Sequence, residues 1–156
     1  MSNLTIILIN AIGIPCTHLA ISCLCTRLPL KYFSKPRIFL KTARWESHFY
    51  KHFLRVHRWK HLLPDGGAWF AGFKKSTLSH HSSQYLERFL FETQRSEICH
   101  WLQMPAIATF ALWTPAPWHL VILVYAIASN LPSIIIQRYN RARLNNLLLR
   151  LRGQDR

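Results

Sequence analysis

Two long stretches of this chain carry no Asp, Glu, Lys or Arg: Met1 to Thr26 and Ile98 to Gln137. A helix that crosses a bilayer needs about 20 mostly apolar residues, so the first stretch has room for one crossing and the second for two. The pattern predicts a mainly α, integral membrane protein with spans near 4–25, 98–113 and 118–136, forming a single membrane domain over 1–156. The TPAP run from Thr114 to Pro117 separates the last two spans, because proline cannot continue a helix and restricts the residue before it.

All 20 Lys and Arg side chains fall outside these stretches, in a loop over 26–97 and a tail over 137–156. Basic loops stay on the cytoplasmic side. The amino terminus and the TPAP turn are therefore expected outside a cell membrane, and both basic segments inside, which is the parity that three crossings give. A buried hairpin in a soluble core is the competing reading, and it leaves the segregation of charge unexplained. The leading residues lack Lys and Arg, so the basic region of a cleaved signal is missing and the first span is expected to stay. Cys16, Cys23, Cys25 and Cys99 form no Cys-x-x-Cys and read as small buried thiols.

A net charge of +14 raises the question of nucleic acid, but no recognition motif accompanies it. From Ile38 to Leu63, taken as one helix, Ile38, Trp45, Phe49, Phe53 and Val56 fall within about 80°. Lys41, Arg44, Lys51, Arg55 and Arg58 fall on the far side. This predicts a basic amphipathic helix lying in the membrane surface. His48, His52, His57 and His61 make two i, i+4 pairs, but the pairs face nearly opposite ways, so no metal site is expected. Pro64 to Gly67 reads as a turn. There Asp65 is either punctuation or part of an anion-holding loop beside Lys60, Lys74 and Lys75.

Ser83 to Trp101 reads as a helix that begins in water and ends in lipid. Arg88, Glu92 and Arg95 have the spacing of a surface ladder of ion pairs. Glu92, Ser96, Glu97 and His100 share one side of that helix, and His100 lies about 4–5 Å beyond Glu97 along the axis. A carboxylate there can orient the imidazole as a base toward a hydroxyl. In the third span Asn130 and Pro132 place an amide at membrane depth, unfavourable unless it is paired. Gln137, Arg138, Asn140 and Arg141 follow at the boundary, where topology alone accounts for arginines and headgroup binding is the alternative.

Four separated stretches together resemble one family: TRLPLKYF at Thr26 to Phe33, RWKHLLPDG at Arg58 to Gly66, ETQRSEICHW at Glu92 to Trp101, and YAIASNLPSIIIQRYNRARL at Tyr125 to Leu144. They are similar to the glycosyl-4,4'-diaponeurosporenoate acyltransferases of the staphyloxanthin carotenoid pathway. The resemblance implies a membrane acyltransferase that esterifies a sugar hydroxyl of a glycosylated carotenoid, or a related glycolipid, with a fatty acyl group. It implies an acyl-CoA or acyl-carrier-protein thioester as co-substrate and no bound cofactor. Within it, His100 oriented by Glu97 or Glu92 is the expected base, and Lys60 or Arg95 the expected oxyanion donor. Asp65, Asn130, Gln137, Arg138, Asn140 and Arg141 are the expected binding groups. The rival class is a non-enzymatic membrane subunit that organises a partner enzyme.

Overall fold

The computed structural model describes residues 2–33, 41–63 and 82–154, and every regular element among them is helical. Helix α1 spans Asn3–Arg27, and the short helices α2 and α3 span Arg44–His48 and Val56–Trp59. The long helices α4 and α5 span Ser83–Ala108 and Trp118–Gln154. Two helices start at serine caps: Ser2 Oγ accepts from the Thr5 N–H at 3.2 Å, and Ser82 Oγ from the Tyr85 N–H at 3.3 Å, each satisfying a donor that the first turn leaves open.

Helix α4 is the centre of the bundle, packed along α5 on one side and against α1 on the other. Its apolar contacts form two separate cores. Near the TPAP end, Ile14, Ile107, Phe110 and Ala126 pack together; at the opposite end, Leu86 and Phe89 meet Leu144 and Leu148. Gly13 lets α1 approach the first core, since a Cβ there would lie 2.6 Å from the Phe110 ring. Asn10 ties the same end, donating to Thr114 Oγ1 at 2.9 Å and accepting from Trp113 Nε1 at 3.0 Å. Between the two cores the α4–α5 seam is polar, Glu97 of α4 meeting Arg138 and Arg141 of α5; Glu92, Thr93, Gln94, Asn130, Gln137 and Asn140 are also buried, and buried Gln103 turns to α1 instead.

One expectation is corrected. Described residues 41–63 do not form one amphipathic helix: α2 passes into a π-helical turn at Phe49–Phe53, and Arg55 takes a left-handed conformation (φ 48°) before α3. The break turns the apolar set in different directions, leaving Trp45 and Phe53 exposed while Val56 is fully buried. The basic residues after Gln137 continue the same helix, since α5 runs through Pro132 and the boundary arginines to Gln154. Its last turns are held by the Leu86, Phe89, Leu144 and Leu148 core. Among the described residues, α1 and the Trp118–Leu151 part of α5 are long and apolar enough to cross a membrane. The expected span at 98–113 corresponds to the end of α4 and the 3-10 turn Thr109–Leu112.

Candidate functional site

The polar seam is organised by Glu97, which is fully buried. One carboxylate oxygen accepts from Arg138 Nη1 at 3.1 Å and from Trp101 Nε1 at 3.4 Å; the other accepts from Arg141 Nη2. Two carbon-bound oxygens with three N–H donors satisfy a charge that would otherwise be very costly away from water. Arg141, 1% exposed, keeps Nε and Nη1 without a partner among the described residues. A buried guanidinium with unused N–H groups can receive an oxyanion.

Arg138 continues the network to the loop. Its Nη2 and Nε donate to the two oxygens of Glu46 at 2.9 and 3.0 Å, a two-point fit of planar fork to carboxylate. Glu46 also accepts from the Ala43 N–H at 2.9 Å and the Tyr50 hydroxyl at 3.2 Å. Asn145 Nδ2 donates to Thr42 Oγ1 at 3.1 Å, so α2 and its flanks lie along α5. Burial pushes the Glu46 carboxyl up, but the hydrogen bonds from Arg138, Ala43 and Tyr50 and the Arg138 charge outweigh it and hold the pKa below its ordinary 4.5. A carboxylate with a depressed pKa contributes stability that is complete above its unfolded value and lost as pH falls through its folded value. Docking of the loop on α5 is thus expected to be unchanged near neutrality and to weaken below about pH 4.5. Hydrogen exchange of residues 42–53 across that range should show it, and Glu46→Gln should remove that part of the acid dependence.

Glu92 and Arg95 do pair, at 2.6 Å, but not on the surface: their side chains are 2% and 12% exposed. Arg95 Nη1 donates to the carbonyls of Thr26 and Leu28 at 3.1 and 3.5 Å. Cations are favoured at a helix carboxyl end, so Arg95 fastens the end of α1 to α4, and the ladder expected in water is an internal clamp. The α1 packing that buries it is invisible to helix spacing alone.

His100 is half-buried one turn beyond Glu97, and its Nδ1 lies 3.1 Å from Asn130 Oδ1. The Asn130 Nδ2 donates to the Ala126 carbonyl at 2.9 Å and to Ser129 Oγ at 3.2 Å. That fixes the amide with its oxygen toward the ring, so Nδ1 carries the proton and Nε2 is the basic nitrogen. The orienting group is an amide from α5; the expected Glu97 is engaged by the arginines.

The other predicted residues are spread around this centre. Lys60 Nζ stands 5.9 Å from the Tyr139 ring centroid, and burial, then the Arg143 charge, lowers its pKa. Gln137 and Asn140 are buried on α5, Gln137 with Oε1 unpartnered among the described residues. Asp65 lies outside the described residues. Glu46 and Tyr50 were missed because the loop was read as a lipid-facing helix. Glu46 is the only acidic residue between Met1 and Pro64, a lone carboxylate among cations, and that was the signal available. Among the described residues no group of three His, Cys, Asp or Glu is placed to hold a metal.

A family model for glycosyl-4,4'-diaponeurosporenoate acyltransferase matches residues 31–150. A Staphylococcus aureus (strain bovine RF122 / ET3-1) protein named glycosyl-4,4'-diaponeurosporenoate acyltransferase is 35% identical over 142 residues, covering 88% of this chain and 86% of its own. Its namesake from strain USA300 is 34% identical with the same coverage. No solved structure matches.

Proposed function

We propose, from the premise that the chain belongs to the glycosyl-4,4'-diaponeurosporenoate acyltransferase family and is an acyl-transferring enzyme, that it esterifies a sugar hydroxyl of a glycosylated carotenoid with a fatty acyl group from a thioester donor. The observation that carries this reading is the polar seam itself, in which a fixed imidazole lies one turn along α4 from Glu97, the carboxylate that holds a buried guanidinium with unused N–H groups.

The chain crosses the membrane three times in this reading, through α1, the apolar end of α4 and the first half of α5. The seam then opens at the cytoplasmic boundary, where a glycosylated polyene presents its polar head and an anionic thioester arrives from the cytoplasm. Basic groups such as Lys60 and Arg143 concentrate the donor, as a field of one sign does for an opposite charge.

His100 Nε2 takes the proton of the sugar hydroxyl as its oxygen attacks the thioester carbonyl. The oxyanion is met by the Arg141 N–H groups, a contribution of about 3–4 kcal/mol for a well-aimed donor. Collapse of the tetrahedral adduct breaks the C–S bond, and the imidazolium returns its proton to the departing thiolate. The acyl thioester is a co-substrate, and no bound cofactor takes part. Gln137 and Asn140 shape the headgroup side of the site. Purified protein in lipid nanodiscs, given a fatty acyl-CoA and a glycosylated polyene, should yield the ester by mass spectrometry; no ester with either CoA or carrier-protein donors would overturn the reading.

A further inference from the structure

The segment that Glu46 and Tyr50 turn toward α5 has a second face. Trp45 and Phe53 are 64% and 75% exposed, and Phe49 lies half-buried between them. The three rings form a ladder: Phe49 meets Trp45 edge-on with centroids 5.7 Å apart and stacks on Phe53 at 5.1 Å. In the same stretch the cations Lys51, Arg55 and Arg58 are exposed. For a loop in water this polarity is inside out, because the Glu46 carboxylate is buried while the aromatic rings are not.

Single exposed apolar residues need no explanation, but a contiguous apolar patch rimmed by polar groups marks a docking surface. The backbone is bent in a way that keeps the patch outside. Arg55 has a positive φ of 48°, a conformation that a residue with a side chain adopts at a cost and holds only where its surroundings impose it. The turn made there carries Val56 into the protein and leaves Phe53 out.

Depth and charge together identify what covers the ladder. Arg138, which binds both Glu46 and Tyr50, is the first charged residue after the uncharged stretch Ile98 to Gln137. It marks the level at which α5 leaves the apolar layer, and the loop is fastened at that level. Aromatic rings gather there in a bilayer, and neighbouring cations are drawn to anionic headgroups. A leaflet of anionic lipid matches rings and cations at once.

We propose that Trp45, Phe49 and Phe53 dip into the headgroup region of the cytoplasmic leaflet while Lys51, Arg55 and Arg58 hold the phosphates of anionic lipids. The docking rests on the membrane reading of α1 and α5 and is independent of acyl transfer. Glu46 grips the same arginine that grips Glu97, so this contact ties the buried network to the membrane surface.

The test uses the full chain in phosphatidylcholine nanodiscs with and without phosphatidylglycerol. The emission lost in Trp45→Phe reports Trp45, and lipid brominated near the headgroup should quench it more than lipid brominated at the chain end. Phosphatidylglycerol should slow hydrogen exchange over 42–53. Each cation at an anionic surface is worth roughly 5-fold, so Lys51→Gln/Arg55→Gln should cut that protection by about 10-fold or more. Trp45→Ser/Phe53→Ser, at exposed positions, should abolish it without changing stability in detergent. A Trp45 component that brominated lipid leaves unquenched would overturn the docking, whether the ladder is then bare or covered by another part of the chain or a second copy. Exchange that is the same with and without phosphatidylglycerol would overturn it too. Release of the chain from membranes by carbonate would overturn the spans themselves, whereas retention with an unquenched Trp45 would overturn the docking alone.

Discussion

His100→Ala should lower ester formation by roughly 100- to 10,000-fold, the range for removing a positioned general base. The loss should fall on kcat, because the imidazole acts as the hydroxyl is deprotonated and not when either substrate binds. A stability control belongs with it, since removing the ring leaves Asn130 Oδ1 facing an empty space in a fully buried position. Asn130→Leu tests orientation separately: the base remains but its tautomer is no longer fixed, so the rate should fall less than in His100→Ala, with a shifted pH profile for kcat. Wild-type transfer by His100→Ala in washed membranes, at equal protein level, would remove His100 from the mechanism.

The sequence made parts of this site legible and hid others for identifiable reasons. Ser83 as a helix start was readable from the serine before it and the periodic apolar residues after it, and α4 begins there. The Glu92–Arg95 pair was readable from i, i+3 spacing. What spacing along one helix cannot supply is the partner from another. Glu97 was paired with His100 because they are neighbours on α4, whereas its donors, Arg138 and Arg141, come from α5. His100 in turn meets Asn130, an amide that sequence reading placed at an unfavourable depth without knowing what faced it. The loop failed differently. A regular apolar stripe between Ile38 and Leu63 suggested lipid, but Glu46 and Tyr50 bind Arg138, so the segment is turned toward protein and its helix is broken at Arg55.

Glu97→Leu should be the most destabilising single change in the seam, at about 3–5 kcal/mol. The reason is not the strength of the ion pairs but what their removal leaves behind. Arg141 is 1% exposed with two nitrogens already unpartnered among the described residues, so deleting the carboxylate strands a buried cation. Arg138 fares better because Glu46 still holds it at two points. Arg141→Leu should therefore cost less than Glu97→Leu, since Glu97 keeps its bond from Arg138 Nη1. The double variant Glu97→Leu/Arg141→Leu should recover part of the loss, because neither stranded charge remains and replacing a buried pair by apolar side chains is often close to neutral. Yet it should not recover transfer, because the guanidinium assigned to the oxyanion is gone. Denaturation of the protein in a fixed detergent gives the stabilities, and ester formation gives the activities. If Glu97→Leu unfolds no more easily than wild type, the buried network is not what holds α4 to α5. If the double variant regains activity along with stability, Arg141 stabilises the fold and not the transition state.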